Sequence, residues 1–208
     1  STHDPSAERA VLASLHSGSP ESLSLSVQRR KPHTTVRAHI ISRIESGAVL
    51  HHMTLNCLTR YSGIKALRIE LPGPITDLVH ITTPSVRRSV VTLTEEEEGN
   101  GRVVWELRGD TEFLGEYQIS LSHEVPIAAL AVGDSIELDL PRILPLGVDR
   151  FWGQIVLAKA ESIGITPLSL SGSIRAIDPR HDLVDKDSSK EAARAFEFHG
   201  DWGFRVRA

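Results

Sequence analysis

Leu114-Gly115-Glu116-Tyr117-Gln118-Ile119-Ser120-Leu121-Ser122 decides the fold class of this chain. Gly115, Tyr117, Ile119 and Leu121 alternate residue by residue with Glu116, Gln118, Ser120 and Ser122. A period of two puts one set on each side of a pleated strand, whereas a helix would bring residues three and four apart together. Just upstream, Arg102 to Arg108 repeats the pattern with Val103, Trp105 and Leu107 facing inward. It is predicted to form a hairpin with Ser89 to Thr94 across Glu95 to Gly101, where Asn100-Gly101 can supply the positive φ angles of a tight turn.

Working outward, Val36, Ala38, Ile40 and Ile44 share one face of a strand, and Arg37, His39 and Arg43 the other. Val49 to Thr59 continues the idea, with Val49, Met53, Leu55 and Cys57 on one side, so Cys57 reads as a core residue. Ile64 to Leu71 stops at Pro72-Gly73-Pro74, because proline cannot donate to a sheet ladder. Further strands are predicted over Ile75 to Thr82, Ser135 to Leu140, Arg150 to Ala160, Leu168 to Ile177 and Trp202 to Val206. Two short helices are expected. Ala7, Ala10, Val11 and Leu15 have helical spacing within Asp4 to His16, and Ser188 to Ala195 carries a serine cap with Glu191 in its first turn.

These elements predict an all-β chain, an antiparallel β-sandwich that is either one large unit or two small packed ones. Residues 1–20 form an N-terminal segment and residues 21–208 the β region, with a subdivision near 125–135 in the two-unit version. The lack of alternating β and α elements excludes a doubly wound nucleotide fold.

Composition narrows the function classes. The 208 residues are 40% apolar and 24% charged, enough for a hydrophobic core. The net charge is −4 and the 23 Lys and Arg are scattered along the chain without a basic stripe, so nucleic acid is not expected as a partner. One cysteine excludes an internal disulfide framework. No apolar run approaches the roughly 20 residues of a membrane span, and no signal-peptide pattern opens the chain. The start at Ser1, without methionine, fits a piece of something longer.

Ten histidines invite a search for a base or a metal ligand. His51 and His52 are adjacent on a strand and point to opposite faces, so they cannot chelate one ion together, and His39 lacks a nameable third ligand. Surface positions are the expectation for these histidines. Arg180-His181-Asp182 sits in a proline-containing loop where Asp178 and Asp182 suit local turn capping. Glu95 to Glu98 lacks the ligand alternation of a calcium loop and reads as a solvated hairpin tip. Trp105 and Trp152 are assigned to the core. Trp202, flanked by Gly200 and Gly203, is the exception and, with His199, the candidate ligand contact. No catalytic residue, metal site or cofactor is expected, and GxSxG, HExxH, Walker and GxGxxG patterns are absent from the sequence.

VRAHIISRIESG, GIKALRIELPGPITDLV, GRVVWELRG, LGEYQISLSHEVP, IRAIDPRHDLV and AFEFHGDWGFRVRA, in that order, resemble a β-rich module of large bacterial envelope proteins, notably of Planctomycetes. The resemblance covers roughly residues 20 to 208 and none of its motifs is catalytic. It implies an extracytoplasmic or membrane-tethered multidomain parent. A weaker similarity is to the extended β-saddle that precedes the catalytic domain of zinc aminopeptidases, also a non-catalytic piece. The leading expectation is therefore a non-enzymatic structural or protein-interaction module whose partners are other protein domains. Alternatives are a carbohydrate- or lipid-binding module and an accessory domain of a metal-dependent hydrolase.

Overall fold

The computed structural model describes residues 30–91, 101–160 and 162–208. The helix expected over 4–16, the glutamate run 95–98 and the hairpin tip at Asn100 lie outside the described residues. Strands dominate what is described. In chain order they are β1 (His33–Glu45), β2 (Ala48–Ile64), β3 (Leu67–Pro72), β4 (His80–Ile81), β5 (Val86–Val91) and β6 (Arg102–Gly109). Then follow β7 (Phe113–Pro126), β8 (Glu137–Asp139), β9 (Leu144–Leu146), β10 (Arg150–Lys159), β11 (Thr166–Ile177) and β12 (Ala192–Arg207).

An eight-stranded sheet runs β11-β12-β10-β1-β2-β7-β4, with β8 added on β12, and a four-stranded sheet runs β5-β6-β3-β9. The inward alternate residues of both sheets meet in one apolar cluster. Val36, Ile40, Leu55, Ile119 and Leu121 come from the large sheet, and Leu67, Ile69, Trp105 and Leu107 from the small one. Each fully buried Leu or Ile contributes about 1.5–3 kcal/mol by leaving water, and this sets the register, since a one-residue slip would turn a whole strand inside out.

Four expectations are corrected. The sheet is not wholly antiparallel, because β1 pairs β10 in parallel from Thr35↔Arg150 to Ile44↔Lys159. Such a pair, deep in the chain's sequence separation, leaves no hairpin signature. The strand expected over Ile75 to Thr82 is mostly turns: Gly73–Ile75 forms a 3-10 turn, Val79 donates to the Ile75 carbonyl, and only His80–Ile81 pairs with β7. The helix expected over Ser188 to Ala195 is a single 3-10 turn at Ser188–Lys190. From Ala192 the chain is β12, where Ala195 pairs with both Val156 and Ile177, so sheet pairing overrides local helix propensity. The strand expected over Ser135 to Leu140 shrinks to Glu137–Asp139. Among the described residues no helix is long and apolar enough to cross a membrane.

Candidate functional site

The large sheet has two faces with different company. Its inner face meets the small sheet. Its outer face carries the intervening residues of the same strands, and a strap formed by residues 178–191 crosses it. Ladder register aligns outer-face side chains in rows. One row reads Ser173, His199, Trp152, Arg37, Asn56 and Gln118 across β11, β12, β10, β1, β2 and β7. The next reads Arg175, Glu197, Gln154, His39, Thr54 and Ser120. The third is apolar where the strap lands: Ile177, Ala195, Val156 and Ile41, followed by His52.

The strap docks for physical reasons that can be named. Leu183 is buried against Val156 and Ala195, with Ile41 and Ile177 at the margin. The Gln154 amide donates to the Asp182 carbonyl at 2.9 Å and accepts from the Val184 N–H at 3.0 Å. The Ser188 hydroxyl donates to Asp185, so its contact with His39 Nε2 at 2.9 Å requires that nitrogen to carry the proton. Burial holds the His39 pKa below the usual value, opposed by the Asp185 carboxylate. Glu191 pairs with Arg43 at the far end. Within the strap, Asp182 accepts from the Asp178 N–H at 2.9 Å and Asp178 from the Arg180 N–H at 2.8 Å. The Arg180-His181-Asp182 triplet is thus tied up in turn capping.

The strap separates two hollows. On one side a groove is built from two adjoining cavities of about 430 Å³ and 210 Å³, which share Arg37, Asn56 and Gln118 and include Trp152 and Gln154. On the other side a cleft of about 620 Å³ is bounded by Ile41, Leu50, His51, His52 and His123 on the sheet, by His80 on its edge strand β4, and by Asp77 in the turn before it.

Sequence-predicted site residues separate in space. Trp202 is only 1% exposed, with its ring 5.6 Å from that of Phe198, so it is removed as a surface contact. The glycines around it belong to a bulge rather than a loop: Gly172 faces Trp202 while Ser173 faces His199, and Gly172 and Gly200 take φ of 79° and 71°. His199 is exposed, meets Glu197 at 2.9 Å, and sits beside Trp152 in the first outer row. Trp152, assigned to the core from sequence, is half-buried on the outer face, with the Arg150 guanidinium 5.3 Å from its ring centroid. The signal was available in the alternation itself, since Phe151, Gly153 and Ile155 take the inner side.

His51 corrects the surface expectation for histidines. It lies on the inner face, with Ser42 Oγ 2.8 Å from its Nδ1 and the His123 ring stacked on it at 4.5 Å and 21°. Burial pulls the two pKa values down to about 3 and about 4, so both rings are neutral in the folded chain. His52, its neighbour, is exposed on the outer face. Cys57 is a core residue whose thiol burial pushes up to about 12. Among the described residues no three His, Cys, Asp or Glu side chains are placed to hold a metal ion.

No family model matches this chain, and no curated protein matches it. Among solved structures the chain is similar to native yeast LTA4 hydrolase, at 10% identity and a TM-score of 0.35, over 84% of this chain and 28% of that one. The chain therefore spans less than a third of the length of that structure.

Proposed function

We propose that this chain is a recognition module of a larger, extracytoplasmic protein, a sandwich-like scaffold that holds a partner on its outer sheet face and performs no chemistry itself. One observation carries the reading. The row from His199 through Trp152, Arg37 and Asn56 to Gln118 presents an aromatic ring, a guanidinium and two amides side by side on a rigid sheet. Neither Arg37, Asn56 nor Gln118 has a hydrogen-bond or ion-pair partner among the described residues, so their bonding capacity is open to a partner. The resemblance to envelope modules supports the extracytoplasmic part of the proposal.

Hydroxyl-radical footprinting of the chain, alone and within native extract, tests it. Protection is expected at Trp152, His199 and His39, all on the outer face. Protection confined to the free edge of β11 would sink the proposal.

A second reading, saccharide binding, is favoured by Trp152. In protein interfaces a buried aromatic anchor is surrounded by an apolar centre depleted of charge. Here the indole is surrounded by His199, Arg37 and Arg150, and by amides farther along the row, which suits a polyhydroxylated ligand better than an apolar protein surface.

A further inference from the structure

We propose that the groove along Trp152, Arg37, Asn56 and Gln118 binds a carboxylate-bearing oligosaccharide. The inference rests on the outer-face reading above and adds the chemical class of the ligand.

The charges in and beside the groove are the reason. Arg37 and Arg150 stand on either side of Trp152 in the fold, one paired with it across the ladder and the other over its ring. Neither guanidinium has a carboxylate within salt-bridge distance among the described residues. Elsewhere on the surface Arg68, Arg102, Arg175 and Arg205 are each matched to a carboxylate, at 2.7 to 3.0 Å. Arg60, Arg87 and Arg194 likewise have no carboxylate within salt-bridge distance among the described residues, so what distinguishes Arg37 and Arg150 is that both stand beside one half-buried indole at a groove. A guanidinium binds a carboxylate through two parallel N–H bonds, a geometry that lysine lacks.

The acidic groups nearest the groove do not cancel this. Asp185 lines one end, but its carboxylate is occupied by Ser188 and faces His39 at 3.6 Å. Glu116 lines the opposite end, on β7, one row beyond Gln118. A carboxylate there accepts hydrogen bonds from sugar hydroxyls, as the Asn56 and Gln118 amides both donate and accept. The groove thus orders an oligomer: its acidic group at the arginines, a ring face against the indole, and its hydroxyls over the amides toward Glu116. From Trp152 to Gln118 there are three inter-strand steps, roughly 14 Å, so the ligand is an oligomer rather than a single sugar.

Calorimetric titration of the full chain with oligogalacturonate, the matching neutral galactan oligomer and hexaglutamate peptide tests the proposal. Oligogalacturonate is expected to bind at least about tenfold more tightly than the neutral oligomer, and less tightly as salt rises. Arg37→Gln and Arg150→Gln should erase that preference, and Trp152→Ala should abolish saccharide binding while the thermal midpoint falls by no more than about 4 °C. Equal binding of both saccharides, indifferent to the arginine variants, overturns the carboxylate assignment and leaves the outer-face reading standing. Arginine-dependent binding of hexaglutamate but not of oligogalacturonate makes the ligand an acidic peptide and overturns the saccharide. No binding of any probe overturns the inference, and only the additional loss of outer-face footprint protection overturns the reading beneath it.

Discussion

The inner and outer faces of the large sheet are built from the same strands and differ by a single step along the chain. His51 faces inward, stacked on His123 beside Ser42, and is neutral because water is excluded. His52 faces outward, in the row of Ile41 and Ser122, at the floor of an open cleft. Trp202 and Trp152 repeat the contrast, one sealed in the core and the other beside free arginines. In a β protein, residue type says what a side chain can do and parity along the strand says whether it gets the chance.

The strongest way to break this contrast is to empty the inner side. Trp202→Ala is expected to cost about 3–5 kcal/mol, the range for deleting a large aromatic ring from a packed core, read as a drop in the urea midpoint at unchanged slope. A loss under about 1 kcal/mol would mean that Trp202 does not fill the core as described.

Parity is legible in β1, β2, β6 and β7, where strict alternation gives the inward residues, Cys57 included, with His51 on β2 the inward residue assigned to the surface. Three things were not legible. The parallel pairing of β1 with β10 joins segments more than a hundred residues apart, and nothing local encodes it. The apolar run Ile155-Val156-Leu157-Ala158 did carry a signal, burial on both faces, but what covers its outer side is the Leu183 strap, which reads as an ordinary polar loop. Trp202 was misplaced because Gly200 and Gly203 look like a loop, when they frame a bulge that keeps Trp202 and Phe204 pointing into the core. Of the two residues expected as ligand contacts, Trp202 is in the core and His199 is exposed beside Trp152 in the ladder, outside the groove lining, while register brings Trp152, Arg37, Asn56 and Gln118 together.

The strap sharpens the comparison from the outer side. Leu183→Ala should cost about 2–3 kcal/mol, since its pocket is small and shielded on one side only. The loss should appear as faster amide exchange over residues 178–191 with the inner strands still protected. If exchange accelerates equally throughout β1 and β2, the strap is part of the global fold rather than a separately docked element.

Acid probes the buried histidines. Because the folded pKa values of His51 and His123 lie at about 3 and about 4, the unfolded chain takes up protons first, near the ordinary 6.5. Stability from this source is present above pH 6.5 and is lost as pH falls, through about 4 for His123 and about 3 for His51. Between pH 6.5 and 5.5, where carboxylates stay ionised, the pair should cost about 2 kcal/mol. His123→Phe, which keeps a stacked ring, should halve that slope. An unchanged slope in this variant would show that His123 is not titrating as a buried neutral ring.

The smallest expected effect is the counterpart of the first. Trp152→Ala removes the same side chain as Trp202→Ala, but from a half-buried outer position where its described contact is the Arg150 guanidinium. An exposed cation–π contact contributes about 0.5–1 kcal/mol, and no cavity forms when the ring leaves an open groove. The urea midpoint should therefore shift by less than about 1 kcal/mol equivalent, several-fold below the Trp202 variant. A shift as large as that of Trp202→Ala would make Trp152 a structural residue and take the aromatic ring out of the proposed groove. A small shift leaves an indole held in place by the sheet while contributing little to its stability, which is the property expected of a residue kept for contact with something else.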